Sequence, residues 1–330
     1  EVFGGYGWTC GLSSMKRIFN YMLCRGINNY VPHAFSMMAP SVFNKAEARN
    51  LSVDELPPGY EPFFLPPNFN ARGYNPQYAY FGSLIGYVQR CCHLLSQGVH
   101  KPDVAVYYNA EVDWINYGVK QDLDEVAKEL TCKGFDFDFV PEDALDRLVV
   151  ENNRFKVNQE TWGAMLVPRA DYLPDKLFRY LKKLGAAGVP VIFVDSYPIK
   201  LISGAGFKPF AGCKVARLED LANAIEESCG RVLKIDGFSE DLRYYGLDCG
   251  ASDVYFFHNE GRRTLECFVN ATRRGGCVIY DPWLNVQYAT EKSTKNGVKL
   301  HLQPGRMLVL AFGEDTEATE IYSAVAPVVE

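Results

Sequence analysis

Residues 162–194 read WGAMLVPRADYLPDKLFRYLKKLGAAGVPVIFV. The stretch begins and ends in short apolar runs, at 162–167 and 189–194. Between them, residues 174–185 place apolar side chains at helical spacing. Since two buried strands joined by a helix form a crossover between parallel neighbours, the stretch predicts one unit of a parallel sheet.

The same alternation of strand and helix continues on both sides of this unit. Further strands are predicted at 103–108, 135–140 and 231–235, and further helices at 121–132, 142–147 and 217–228. An alternation of this kind is typical of a parallel sheet covered by helices on both faces. We therefore predict that residues 101–250 form a doubly wound α/β domain, extended at its end by the strand at 231–235.

Short strand patterns separated by turn residues follow from Asp253 onward. They lie at 253–258, 264–270, 276–280, 285–288, 298–302 and 307–312. Such a succession without intervening helices is typical of an antiparallel all-β structure. Residues 251–330 are therefore predicted to form a β-sandwich-like C-terminal domain.

The first hundred residues have a different pattern. A predicted helix at 9–24 is followed by a strand-like segment at 27–35, a proline-rich loop at 36–75 and an amphipathic helix at 76–98. A strand end, a helix and a second strand end make up the βα unit of a (β/α)₈ barrel, in which active sites collect at the carboxyl ends of the strands. Residues 1–100 are therefore predicted to be the C-terminal part of a TIM-like barrel.

Composition and charge argue against several classes of partner. The chain has 330 residues and a net charge of −6, which gives no electrostatic reason to bind nucleic acid or an anionic membrane surface. Its apolar runs are far shorter than the roughly 20 residues that a membrane-spanning helix needs. We expect no cofactor, because the glycine-containing stretch at 203–206 is too short and isolated to be a phosphate loop.

The cysteines bear on metal binding and on the cellular compartment. They lie at positions 10, 24, 91, 92, 132, 213, 229, 249, 267 and 277. Neither a C-x-x-C motif nor a histidine-rich spacing occurs among them, so we expect no metal site. Buried free thiols are favoured over disulfides, and the chain does not open with a secretory signal. Together these features predict a cytoplasmic protein.

Several motifs resemble a known family of enzymes. The first is E-x-F-G-G-Y-G-W at residues 1–8, and it is followed by R-G-I-N at 25–28 and V-P-H-A-F at 31–35. These motifs resemble the last barrel strands of glycoside hydrolases of the α-L-rhamnosidase type, which are similar to the β-galactosidase-like barrel enzymes. The segments at 103–107 and 253–259 resemble later parts of the same family.

The resemblance implies a carbohydrate substrate and hydrolysis of a glycosidic bond by two carboxyl groups. Glu1 matches the position of one of the pair, as base or nucleophile. Its partner would lie on an earlier strand that this sequence does not contain, so we expect an incomplete active site in the C-terminal portion of a larger enzyme. Two isolated barrel units would expose apolar surface, which we expect a homo-oligomer or the remainder of a longer chain to cover.

Other residues are candidates for binding the sugar, each with a structural alternative. They are Tyr6, Trp8, Asn28, Asn29, Tyr30, His33, Glu111, Asp113 and Trp114. Aromatic rings suit the faces of sugars but also fill cores, and amides can bind hydroxyls or make turns. A histidine can contact a hydroxyl or be hydrogen-bonded within the fold. The two acidic residues follow the strand at 103–108, where open α/β sheets bind ligands, but acidic residues there can also cap a helix.

The sequence suggests two alternatives to a glycoside hydrolase, and it argues against the first of them. The doubly wound domain resembles the glutamine-amidotransferase fold, whose chemistry needs a cysteine at a sharp turn after a strand. Asp195 follows the strand at 189–194 instead, and the next cysteine is Cys213, so the domain resembles a catalytically empty version. The other alternative is a non-catalytic module that binds carbohydrate or mediates oligomerisation.

Overall fold

A computed structural model describes residues 1–6, 10–33, 77–115, 118–270, 272–273, 276–289, 297–313 and 320–321. The chain divides into two compact units, one made of residues 1–97 and 282–285 and the other of residues 98–281 and 286–330. The α-helices are α1 (Leu12–Leu23), α2 (Tyr78–Leu95), α3 (Ala110–Ile115), α4 (Leu123–Cys132), α5 (Asp175–Ala186) and α6 (Leu221–Cys229). Segments Glu142–Arg147 and Leu218–Asp220 are 3₁₀-helices.

The strands are all short. In chain order they are β1 (Val99–His100), β2 (Val104–Tyr107), β3 (Phe137–Val140), β4 (Val149–Glu151), β5 (Arg154–Val157), β6 (Glu160–Trp162), β7 (Met165–Val167), β8 (Tyr172–Leu173), β9 (Val191–Val194), β10 (Lys200–Leu201), β11 (Cys213–Ala216), β12 (Ile235–Asp236), β13 (Leu242–Asp248), β14 (Asp253–Asn259), β15 (Leu265–Asn270), β16 (Gly276–Asp281), β17 (Val286–Ala289), β18 (Gly297–Leu302), β19 (Met307–Gly313) and β20 (Glu320–Ile321).

In the first unit, α1 and α2 pack against each other. Helix α1 buries Met15, Phe19 and Leu23, which recur every four residues and therefore share one face. Its N-cap residue, Gly11, offers no capping side chain, and the backbone N–H of Leu12 donates instead to a side-chain oxygen of Gln77, 2.7 Å away. The start predicted for this helix, at residue 9, lies outside the described residues.

The second unit contains a fully parallel sheet with the strand order β11-β9-β7-β2-β3. Strand β2 therefore lies between β3, which follows it in the chain, and β7, and the direction of winding reverses between β2 and β7. In sheets of this kind, that reversal is the point at which ligands bind.

Both faces of this sheet are covered, which explains why its central strands β2, β7 and β9 are continuous apolar runs. One face packs on α5, and its strand residues are Ala105, Tyr107, Met165, Val167, Val191 and Phe193. The other face packs on α4 and α6, and its strand residues are Val104, Val106, Leu166, Ile192 and Val194. The alternation follows the two-residue period of a strand, and it places helices on opposite sides of the sheet.

The rest of the second unit is mainly antiparallel. One sheet has the order β1-β13-β14-β19-β16-β17-β20, in which β17 and β20 pair in parallel. A second sheet has the order β12-β15-β18. Side chains from both sheets, including Phe257, Leu310, Val269 and Leu300, join one apolar cluster. The alternating burial along β15 and β16 is expected of strands with one face on that cluster.

A buried carboxylate anchors the start of β14. Lys101 and Arg273 contact Asp253 at 2.6 Å and 2.8 Å, and the side chain of Asp253 is fully buried. Burial alone would raise the pKa of Asp253, but hydrogen bonds from Lys101 and Arg273 hold it below its ordinary value. The carboxylate is therefore charged at neutral pH and neutralised by two cations.

Some predicted elements differ from the structure. The predicted strand at 162–167 is divided between β6 and β7, because β6 turns away to pair antiparallel with β5. The expected extension of the parallel sheet by residues 231–235 is wrong. The strand β12 forms there, and it pairs antiparallel with β15, while β11 provides the edge of the parallel sheet.

Residues 27–33 make only an isolated parallel bridge at Pro32 in place of the predicted strand. The predicted loop at 36–75 lies outside the described residues. Within the described parts of the chain, each helix is too short or too polar to cross a membrane.

Candidate active site

A parallel backbone pairing joins the first residues to the segment after α1. The N–H of Val2 donates to the carbonyl of Val31 at 3.0 Å, and the N–H of His33 donates to the carbonyl of Val2 at 2.8 Å. Val2 therefore pairs with Pro32. Because side chains alternate between the two faces of an extended segment, this register puts Glu1 and His33 on the same face.

The register brings Glu1 and His33 into contact. Nε2 of His33 lies 3.2 Å from Oε1 of Glu1, and the two side chains are 32% and 62% exposed, respectively. A carboxylate and an imidazole in contact at a solvent-accessible position can hold and transfer protons. The structure thus brings together two of the residues that the sequence singled out.

The turn after Val2 is strained. Phe3 is almost fully buried and has a φ of 77°, a conformation that is rare for a bulky residue. Its ring packs edge to face on Phe19 with a centroid distance of 5.0 Å, and Phe19 packs in the same way on Tyr30. Backbone strain of this kind costs about 1–3 kcal/mol and persists only where the surroundings enforce it. The packing of Phe3 on Phe19 therefore holds this strained conformation close to Glu1.

Two predicted sugar-binding tyrosines belong to the same aromatic group. Tyr6 packs edge to face on Phe3 and is about half exposed. Tyr30 is partly buried, and its hydroxyl donates to the carbonyl of Ile27 at 2.7 Å. Burial raises the pKa of the Tyr30 phenol well above its ordinary value, so it stays protonated. Tyr6 therefore presents a ring to solvent, whereas the hydroxyl proton of Tyr30 is already used within the fold.

The remaining candidates of the first unit are in different surroundings. Asn28 and Asn29 are both exposed, and the amide of Asn28 donates to the hydroxyl of Ser96 at 3.3 Å. Trp8 lies outside the described residues. Asn29 therefore has an exposed amide next to the segment that carries His33.

The other three candidates lie on the short helix α3 of the second unit. Glu111 accepts a hydrogen bond from the buried hydroxyl of Tyr107 at 2.9 Å. Trp114 is 81% exposed. For Asp113 the backbone is described as helical, and its side chain lies outside the described part of the structure. Glu111 is thus held in place by the end of β2, whereas the indole ring of Trp114 faces solvent.

The family of this chain follows from a match of its sequence to a known family. The family model of glycoside hydrolase family 106, described as alpha-L-rhamnosidase, matches residues 3–201, more than half of the sequence. The chain belongs to the α-L-rhamnosidase family of glycoside hydrolases. The match includes His33 but begins after Glu1. No curated protein sequence matches the chain significantly.

The solved structures of two enzymes resemble this fold. A rhamnosidase from Novosphingobium sp. PP1Y has a TM-score of 0.66 and 14% identity, and the match covers 97% of this chain and 31% of that one. An exo-carrageenase of family GH42 from Bacteroides ovatus has a TM-score of 0.55 and 12% identity, covering 93% of this chain and 39% of that one. This member of the α-L-rhamnosidase family thus spans between about a third and two fifths of their lengths.

Two groups in the second unit were not found from the sequence. Glu142 follows the end of β3, and burial and the nearby charge of Glu111 raise its pKa. Asn109 follows β2 and is buried, and among the described residues its side-chain oxygen has no hydrogen-bond partner. Both could have been found by inspecting the residue positions directly after each parallel strand. In the described residues of this family member, no group of three or more possible metal ligands is assembled.

Proposed function

We propose that this chain is a portion of a glycoside hydrolase that hydrolyses O-glycosidic bonds, and that Glu1 supplies one of the two carboxyl groups required. The observation that carries the proposal is the contact of Glu1 with His33, in a chain whose family is that of the α-L-rhamnosidases. An exposed carboxylate held by a histidine, with a strained turn beside it, has the features of an acid/base site.

The reaction assigned to Glu1 follows the general scheme of glycosidases. As a base, the Glu1 carboxylate removes a proton from a water molecule, and the water oxygen attacks the anomeric carbon. As a nucleophile, the same carboxylate attacks that carbon itself, and water later releases the sugar. In both cases an acid on the other side of the bond must protonate the leaving oxygen.

That acid is proposed to lie on another part of the protein. Among the described residues of the first unit, Glu1 is the carboxylate in contact with the candidate histidine, and the chain spans only 31% of the rhamnosidase that it resembles. A glycosidase with one carboxyl group of its pair would be inactive or nearly so. We therefore expect this chain alone to have an incomplete active site.

The proposed architecture has three parts. Residues 1–100 would be the C-terminal part of a TIM-like barrel, which the parallel pairing of Val2 with Pro32 around α1 supports. Residues 101–250 would be a glutamine-amidotransferase-like domain, supported by the order of the parallel sheet. Residues 251–330 would be a β-sandwich-like domain, supported by the apolar cluster that two antiparallel sheets share.

The proposed substrate is an α-L-rhamnoside, from the description of the family. The Tyr6 ring and the exposed amides of Asn28 and Asn29 are proposed to contact the sugar, because an aromatic face suits its C–H groups and amides suit its hydroxyls. Glu1 would then act on the bond to the leaving group.

The test compares this chain with the longest reading frame that contains it, on aryl-glycosides that include α-L-rhamnosides and β-galactosides. Activity on rhamnosides in the longer protein is expected to fall by about 10²- to 10⁴-fold in Glu1→Gln. The matched control is Glu219→Gln, because Glu219 is strongly exposed and pairs only with Arg217 among the described residues. A Glu1→Gln enzyme as active as its parent would overturn the proposal.

A non-catalytic role is the second candidate, and the exposed Trp114 favours it. An exposed indole can bind a sugar face or another subunit. A folded chain that binds rhamnose or forms a stable homo-oligomer, and loses this property in Trp114→Ala, would support this role. Trp114→Ala without effect on binding or assembly would argue against it.

A further inference from the structure

The side chain of His33 has one nitrogen that is already engaged. Nε2 of His33 lies 3.2 Å from Oε1 of Glu1, in an ion-pair contact that turns this nitrogen toward the carboxylate. The other ring nitrogen, Nδ1, is buried and has no hydrogen-bond partner among the described residues. A sugar hydroxyl would therefore find Nε2 occupied and Nδ1 out of reach.

The backbone holds the His33 ring in place. The backbone N–H of His33 donates to the carbonyl oxygen of Val2. The residue before His33 is Pro32, whose ring fixes its own φ angle. Gly4 lies next to the ring, since a Cβ atom added to Gly4 would be 3.6 Å from Cγ of His33. The histidine is therefore a fixed support, in contrast to the more exposed side chain of Glu1.

Glu1 needs such a support. Its side chain is 62% exposed, and in the described structure His33 is the side chain in ion-pair contact with it. A free glutamate samples many rotamers, and fixing it costs conformational entropy. The contact of His33 at Oε1 selects an orientation and leaves Oε2 available to act on water or on the anomeric carbon.

We propose that His33 is a positioning residue for the reaction, which acts by fixing Glu1 and not by contacting the sugar. This inference rests on the proposed function of Glu1. It separates His33 from Tyr6, Asn28 and Asn29, whose side chains are proposed to contact the substrate. It also explains why the imidazole and the carboxylate lie on paired segments with a defined register.

The test uses the longest reading frame containing this chain and measures kcat and KM on an aryl α-L-rhamnoside. His33→Phe keeps a planar ring without the N–H donor, and kcat is expected to fall by about 10- to 100-fold. KM should change by less than about threefold, because His33 does not contact the sugar and the variant leaves substrate binding unchanged. His33→Gln restores an N–H donor and should recover part of the lost kcat.

A double-variant cycle separates positioning from a general structural role. In a Glu1→Gln background, His33→Phe should have little further effect on the residual kcat, because the group that it orients is gone. An equal loss in both backgrounds, or a rise in KM with kcat unchanged, would overturn the proposal. If Glu1→Gln itself leaves kcat intact, the proposed function fails. If Glu1→Gln lowers kcat but His33→Phe leaves it unchanged, the proposed function stands and only the positioning role of His33 fails.

Discussion

The imidazole of His100 is held between two carboxylates, and this arrangement gives a quantitative prediction. Nε2 lies 2.9 Å from Asp136, Nδ1 lies 3.0 Å from Asp138, and the ring stacks on Tyr245 at 4.1 Å. Because carboxylates only accept, both ring nitrogens must carry a hydrogen, and the ring must be a cation. Asp138 also accepts a hydrogen bond from the indole of Trp162.

The pKa of His100 reports how strongly the cation is held. Burial alone would lower it, but Asp136 and Asp138 outweigh that effect and raise the pKa from an ordinary 6.5 to about 10. Since the folded pKa lies above the unfolded one, the stabilisation is fully present below about pH 6.5 and is lost as the pH rises through about 10. A change of this size corresponds to at most about 5 kcal/mol, and partial exposure of Asp138 reduces it to about 2–4 kcal/mol.

The variant His100→Gln tests this prediction in the intact chain. We expect its free energy of unfolding to be about 2–4 kcal/mol below that of the parent near pH 6, because two partly buried carboxylates lose their counter-charge. Near pH 10.5 the difference should shrink to about 1 kcal/mol, which represents the lost ring stacking. Urea unfolding of both proteins at several pH values measures the difference. A difference that does not change with pH would refute the view that the ring is charged.

Three further predictions concern packing and charge. Gly185→Ala should destabilise the chain by about 1–3 kcal/mol, because the added Cβ overlaps the carbonyl oxygen of Ala211, and a lowered thermal midpoint would show it. Gly82→Ala, in the exposed middle of α2, should instead stabilise by about 0.5–1 kcal/mol, since no atom lies within 4 Å of the new Cβ; a lowered midpoint would contradict this. Asp253→Asn should lower the free energy of unfolding by about 3–5 kcal/mol at neutral pH, because Lys101 and Arg273 lose their buried counter-charge. The Asp253 effect should be fully present above the ordinary carboxyl pKa and should diminish as the pH falls through the lowered pKa of the folded Asp253, because the parent carboxyl then becomes protonated as well; a pH-independent loss would count against it.

The strands that are buried on both faces could be predicted from the sequence. The run at 189–194 contains β9, and the pattern at 253–258 contains most of β14, because continuous burial leaves a continuous apolar run. By contrast, β4 and β5 were missed. They are short strands with half-polar sequences, joined by a turn in which Asn152 and Asn153 both have positive φ. That pair of asparagines was the available signal for a hairpin.

The candidate site was predictable only in part. Glu1 and His33 were each singled out by their residue types and motifs, but their contact depends on a register between segments thirty residues apart. A shift of one residue in that register would place the histidine on the other face. The strained turn at Phe3 was equally hidden, because a buried phenylalanine with positive φ is imposed by its packing on Phe19 and not by local propensity.

The role of Glu1 is tested most directly by chemical rescue with azide. In the longest reading frame containing this chain, Glu1→Gly removes the carboxylate and leaves space for a small anion. With p-nitrophenyl α-L-rhamnopyranoside as substrate, we predict that the variant is almost inactive, that added azide restores release of the nitrophenol, and that rhamnosyl azide accumulates. A folded Glu1→Gly protein that keeps its activity would contradict the assignment. So would an inactive protein whose activity azide does not restore and which forms no rhamnosyl azide.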